Sequence, residues 1–203
     1  MIYFLIPVFN EIDNLEQLCE NLLNVLPEYE KYFVFSDDGS TDGSQQKIQQ
    51  LLEKEKHIVL GDGSNNGPGF AFNKGFEWII QNSKDIENDM IVTLEADNTS
   101  DLKILPVMVK NTEMGFDIVL ASVYAQGGGF DKTSFLRRLT SLTANLMLRF
   151  VLDLKVLTLS SFYRVYKLSM VKKIREMDPF FWVFPPRHPP LHRICYRNGK
   201  APL

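Results

Sequence analysis

The sequence predicts an α/β fold in which a mostly parallel sheet is flanked by helices. Short apolar runs alternate with segments of helical periodicity through the first two-thirds of the chain. The runs are apolar at successive positions, as strands are when both faces lie under helices. Their carboxyl ends also share a chemistry: Asn10 and Glu11, Asp37 and Asp38, and Glu95 and Asp97 each follow an apolar run. Open parallel sheets bind ligands beyond those ends, so the polar groups are expected on one rim.

The elements follow in order. Residues 2–9, IYFLIPVF, form the first strand, and residues 12–26 a helix with Ile12, Leu15, Leu18, Cys19, Leu22 and Leu26 at helical spacing. YFVFSDD, residues 32–38, is the second strand. A polar-faced helix is expected over residues 41–55, capped by Thr41 or Asp42. HIVLG gives a third strand, and NNGPGFAFNKGFEWIIQ a glycine-bearing loop that enters a helix. MIVTLEA is the fourth strand, DLKILPVMVKNTE a helix, and FDIVLAS the fifth strand, ending near Ser122 and Tyr124.

Length and composition exclude several classes. The 203 residues are 45% hydrophobic and 23% charged, suited to one soluble domain. With 22 basic and 25 acidic residues, net charge −3, no general pull toward nucleic acid exists. Cys19 and Cys195 are the only cysteines, which argues against a disulfide framework and for a reducing, cytoplasmic setting. The N-terminal apolar run is broken by Pro7 and Asn10 and reads as a strand rather than a leader. No run reaches the ~18 apolar residues of a membrane span.

An acidic rim repels a bare phosphate, so a phosphorylated ligand there needs a divalent cation between. Carboxylate oxygens are the hard ligands that suit Mg²⁺ or Mn²⁺, and Mg²⁺ commonly takes only one or two of them from the protein. Glu95 and Asp97, at i and i+2 of an extended segment, are expected to point to one side and share one ion. Asp37 and Asp38 suit another task, accepting hydrogen bonds from a base N–H and ribose hydroxyls, with Gly39 and Gly43 allowing tight turns. Taken singly, each pair equally fits an ordinary strand-to-turn exit; the convergence of several on one rim favours a site.

The segments IPVFNEIDNL, SDDGSTDGS, NNGPGFAFNKGF, EADNTSD, GGGFDKTSFLRRLTSLTANLML and LSSFYRVYK, in this order, resemble family-two glycosyltransferases. The similarity is greatest to the dolichyl-phosphate mannosyltransferase and polyprenyl-phosphate sugar transferase branch and covers residues 1–176. It implies a nucleotide-diphospho-sugar transferase fold, GT-A-like and Rossmann-like. The implied reaction moves a hexose, mannose or glucose, from a nucleotide-diphospho-sugar to a polyprenyl or dolichyl phosphate. By position, Pro7, Asn10, Glu11, Asp37, Asp38 and Gly67 are the implied nucleotide-binding residues, and Glu95 and Asp97 the implied ligands of Mg²⁺ or Mn²⁺. Asp97, Arg137, Arg138 and Arg164 are the implied catalytic residues. Two positions depart from the family pattern: Glu95 stands where Asp is usual, and Val123 where an arginine is common.

The acceptor follows from acid–base chemistry. A phosphate monoester, with a second pKa of about 6, is already an anionic nucleophile at neutral pH and needs no base. No late Glu-Asp base motif is evident, which favours such an acceptor and an inverting displacement. The segment from Ser134 to Val156 sets Leu136, Leu139, Leu142, Leu146, Phe150 and Leu154 at helical spacing among Arg137, Arg138, Arg149 and Lys155. That pattern fits a helix packed on the sheet, and also peripheral contact with the cytoplasmic face of a membrane. Two other functions share these residues: transfer to a glycan hydroxyl, and nucleotide-sugar binding without catalysis.

Residues 177–203 read as an atypical proline-rich, basic tail, the non-native or truncated end of the domain, with no closing helix or strand expected. His188, His192 and Cys195 do not make a convincing metal cluster, since Pro189 and Pro190 oppose helical presentation.

Overall fold

The computed structural model describes residues 1–122, 143, 161–177 and 194–196. Its elements run β1 (Ile2–Val8), α1 (Leu15–Asn24), β2 (Lys31–Asp37), α2 (Ser44–Leu51), β3 (His57–Leu60), α3 (Pro68–Asn82) and β4 (Met90–Thr93). A 3-10 turn (Leu102–Ile104) then leads into α4 (Leu105–Glu113), β5 (Ile118–Leu120), β6 (Arg164–Lys167), α5 (Leu168–Met177) and β7 (Ile194–Tyr196). The strands form one sheet in the order β3-β2-β1-β4-β6-β5-β7. Within it β6 alone runs antiparallel to its neighbours β4 and β5; the other pairings are parallel.

Side-chain alternation along the strands divides the core in two. Phe4, Ile6, Phe33, Phe35 and Val92 pack with Leu15, Leu18 and Leu22 of α1, Ile48 of α2, and Met108 and Val109 of α4. Tyr3, Leu5, Val34 and Ile91 pack on the opposite face with Phe72, Phe76 and Ile79 of α3 and Val171 and Ile174 of α5. A Cβ on Gly75 would stand 2.0 Å from Leu5 Cδ1, so α3 packs against the Leu5 side chain of β1, which would have to shift for any larger residue. Lys31 Nζ donates to the Leu22, Leu23 and Val25 carbonyls and satisfies the end of α1.

Three expectations need correction. α1 starts at Leu15 rather than Ile12, because the Ile12 amide donates to Asp42 Oδ2 and the Asn14 amide to the Glu11 carbonyl. The N-cap of α2 is neither Thr41 nor Asp42 but Gly43, at φ 94°, a conformation that favours glycine; Asp42 Oδ1 instead accepts from the Ser44 amide and hydroxyl. The tail, expected to lack a strand, contributes Ile194–Tyr196, which pairs with the edge that β5 would otherwise leave open. The expected helix over 134–156 lies, except for Thr143, outside the described residues.

Candidate active site

The parallel arrangement of β1, β2 and β4 sends their chains out of the sheet on one edge, with Val8 opposite Asp37 and Thr93 opposite Leu5. The Leu94 amide still donates to the Leu5 carbonyl, so the β4 exit passes beside Pro7. Glu95 lies beyond the strand, which ends at Thr93, and Ala96 and Asp97 follow it in a turn. The i, i+2 strand geometry expected for the two acids is therefore absent. Both nonetheless line the same cavity.

That cavity has a volume of about 360 Å³. The β1 exit supplies Pro7, Val8, Phe9 and Glu11, the β2 exit Asp38, the loop before α3 Asn65, Gly67 and Pro68, and the β4 exit Glu95, Ala96 and Asp97. Six of the site residues expected from sequence thus meet in one space: Pro7, Glu11, Asp38, Gly67, Glu95 and Asp97.

Its walls are pinned by polar side chains. The Asn10 amide donates to Ser40 Oγ, and Asn10 Oδ1 accepts from the Thr41 amide. The Glu11 amide donates to Ser44 Oγ. Asp38 Oδ1 accepts from the Asn66 amide at 2.8 Å and Oδ2 from the Gly67 amide at 2.9 Å, which fixes the start of α3 to the end of β2. A Cβ on Gly39 would come within 2.9 Å of the Ser64 carbonyl carbon, so these segments meet backbone to backbone. Burial alone would raise the Asp42 pKa, but bonds from Ser44 and the Ile12 amide outweigh it and hold the carboxyl below its ordinary value.

Asn10, which is exposed, and Asp37, which is buried, do not line the cavity. Asp37 Oδ2 accepts from the Gly39 and Ser40 amides and from Gln45 Nε2, and its buried Oδ1 meets no donor among the described residues. Arg164 is 4% exposed and donates to the Ser161 carbonyl and the Tyr166 hydroxyl. It too is absent from the lining. A sequence-based expectation treats arginine as a surface cation; here the β6 register draws it inward opposite Thr93 and Leu120. Arg137 and Arg138 lie outside the described residues.

The lining residues Phe9, Asn65 and Pro68 carried no assigned role in the sequence. Phe9 is 47% exposed at the cavity although it continues an apolar strand. The apolar run gave no signal of this, since only the strand end at Val8 reveals the exposure.

At the β4 exit, Asp97 Oδ1 accepts from the Thr99 amide and hydroxyl, which orients the carboxylate, and among the described residues nothing donates to Oδ2. No group of three or more His, Cys, Asp or Glu able to hold a metal occurs among the described residues. A two-carboxylate set is within the ordinary provision for Mg²⁺, which keeps waters and substrate oxygens as its other ligands.

The Glycosyl transferase family 2 model matches residues 3–175, most of the chain. The chain belongs to this family. Among curated relatives, polyprenol monophosphomannose synthase of Mycolicibacterium smegmatis is 26% identical over 172 residues, covering 84% of this chain and 63% of the relative. Dolichol-phosphate mannosyltransferase of Pyrococcus furiosus is 30% identical over 137 residues, 68% of this chain and 37% of the relative. The chain therefore spans less than two-thirds of the length of either. Of solved structures, S. aureus TarS 1–349 matches with a TM-score of 0.62 at 17% identity, over 98% of this chain and 58% of that one. Glucosyl-3-phosphoglycerate synthase from Mycobacterium tuberculosis, in complex with Mn²⁺ and uridine diphosphate, matches with a TM-score of 0.58 at 17% identity, over 84% and 57%. The fold is thus the GT-A type expected from sequence.

Proposed function

We propose that this chain is a metal-dependent, inverting hexosyltransferase that moves mannose or glucose from a nucleotide-diphospho-sugar to a polyprenyl or dolichyl phosphate. The observation that carries it is the single cavity shared by Pro7, Glu11, Asp38, Gly67, Glu95 and Asp97. Family membership supports glycosyl transfer, and the names of the two curated relatives support a polyprenol-type acceptor.

Glu11 and Asp38 face the nucleoside and accept hydrogen bonds from its base and ribose. Each Asp38 oxygen keeps one lone pair beyond its backbone bond, so clamp and contact are compatible. Pro7 and Phe9 present apolar surface that excludes water from the same side. Glu95 and Asp97 fit Mg²⁺ or Mn²⁺ by donor type, and when bound the ion supplies positive charge to the diphosphate leaving group. Thr99 holds the Asp97 carboxylate in place. The acceptor phosphate oxygen forms a bond to the anomeric carbon as the bond to the nucleoside diphosphate breaks, which inverts configuration. We assign the acceptor phosphate to Arg137 and Arg138. The burial of Arg164 favours a supporting role at β6 over contact with phosphate. Residues 1–176 constitute the proposed catalytic domain and 177–203 a tail. A lipid acceptor calls for peripheral contact at the cytoplasmic face of a membrane; among the described residues no helix is long and apolar enough to cross one.

Labelled GDP-mannose and UDP-glucose, offered with dolichyl phosphate or soluble sugars and with Mn²⁺ or chelator, test the assignment. A metal-dependent, lipid-linked hexose of inverted configuration is expected. Transfer only to soluble sugars overturns the acceptor, and donor binding without turnover overturns the enzyme reading.

A further inference from the structure

Asn14 and Asn98 have no part in the reaction described above, yet they join two walls of the cavity. Asn14 Nδ2 donates to Glu11 Oε2 at 2.6 Å. The Asn14 carbonyl accepts from the Leu18 amide at 3.0 Å, the first turn of α1, and also from Asn98 Nδ2 at 2.9 Å. Asn98 follows Asp97 directly and sits at φ 58°, a left-handed conformation that asparagine adopts more readily than most residues. Residues 84 apart in sequence are thereby tied at one backbone oxygen.

An exposed hydrogen bond of this kind contributes little to global stability. Its geometric effect is larger, because it connects the turn bearing Glu95 and Asp97 to the residue that orients Glu11. We infer that Asn98 and Asn14 are positioning residues that set the acidic pair against Glu11, and so fix where the cation stands relative to the nucleotide. This inference rests on the metal assignment made above for Glu95 and Asp97. Small displacements of a reacting group can lower turnover by about 100-fold, so a weak bond can carry a large catalytic effect.

Asn98→Gly separates the bond from the backbone, since glycine retains the left-handed conformation and loses the amide. In the unliganded chain, amide hydrogen exchange is expected to rise at residues 11–14 as well as at 95–99. Calorimetric titration with Mn²⁺ in the presence of GDP or UDP is expected to show about 10-fold weaker metal binding. Tm is expected to move by no more than about 4 °C. Asn98→Ala, which adds backbone strain, should change exchange and affinity in the same direction and further. Unchanged exchange at 11–14 in Asn98→Gly, or wild-type Mn²⁺ affinity, overturns the inference. If the wild-type chain takes up no Mn²⁺ with either nucleotide, the metal assignment itself fails, and exchange at 11–14 alone decides whether the bridge exists.

Discussion

The exits of β2 and β4 carry the same residue type and use it in opposite ways. At β2, Asp37 and Asp38 are 4% and 6% exposed, and together they accept from four backbone amides and Gln45. At β4, Glu95 and Asp97 are exposed and line the cavity, and among the described residues Asp97 accepts from its neighbour Thr99 alone. The first pair builds the wall and the second faces what enters. A buried carboxylate that satisfies backbone amides is tied to the fold, whereas one exposed at a cavity can also meet a cation.

The sharpest way to break this contrast is to delete one acid from each exit. Asp97→Ala is expected to lower Mn²⁺-dependent turnover by at least about 100-fold, in steady-state assays, with Tm within about 4 °C of wild type. Asp38→Ala should do the reverse in its primary effect. It leaves the Asn66 and Gly67 amides without their acceptor and is expected to cost about 3 kcal/mol in urea denaturation. If Asp38→Ala unfolds like wild type, the wall assignment fails.

A third substitution tests the scaffold away from either acid. Gly75→Ala forces a Cβ into Leu5 and is expected to destabilise by about 1–3 kcal/mol, measured in the same denaturation series. The smallest effect concerns pH. The Asp42 carboxyl titrates below its ordinary value of ~3.9 in the folded chain, so its stabilisation is fully present above that value and is lost as pH falls through the lower folded pKa. Asp42→Asn should flatten the acid limb of the Tm profile below about pH 4 and leave neutral Tm less affected by pH.

Much of this architecture was legible in the sequence because β1 to β5 are apolar runs separated by periodic helices. β6 was not. Its four residues, Arg164 to Lys167, gain strand identity only by fitting antiparallel between β4 and β5. The sequence pointed to acids that line one cavity, but not to which of them hold backbone amides. Whether Asp38 meets solvent or backbone depends on amides 28 and 29 residues away. Asn10 was an implied nucleotide residue by its position in the family pattern; its side chain accepts from the Thr41 amide, a contact 31 residues away. Asn98 offered no local cue, since its partner lies at the start of α1.

The most direct test is a crystal structure of the chain with Mn²⁺ and GDP or UDP. The ion is predicted within about 2.0–2.3 Å of carboxylate oxygens of Glu95 or Asp97, bridging to the diphosphate, with the nucleoside against Pro7 and Asp38. An ion bound elsewhere, or a nucleotide outside this cavity, would contradict the account.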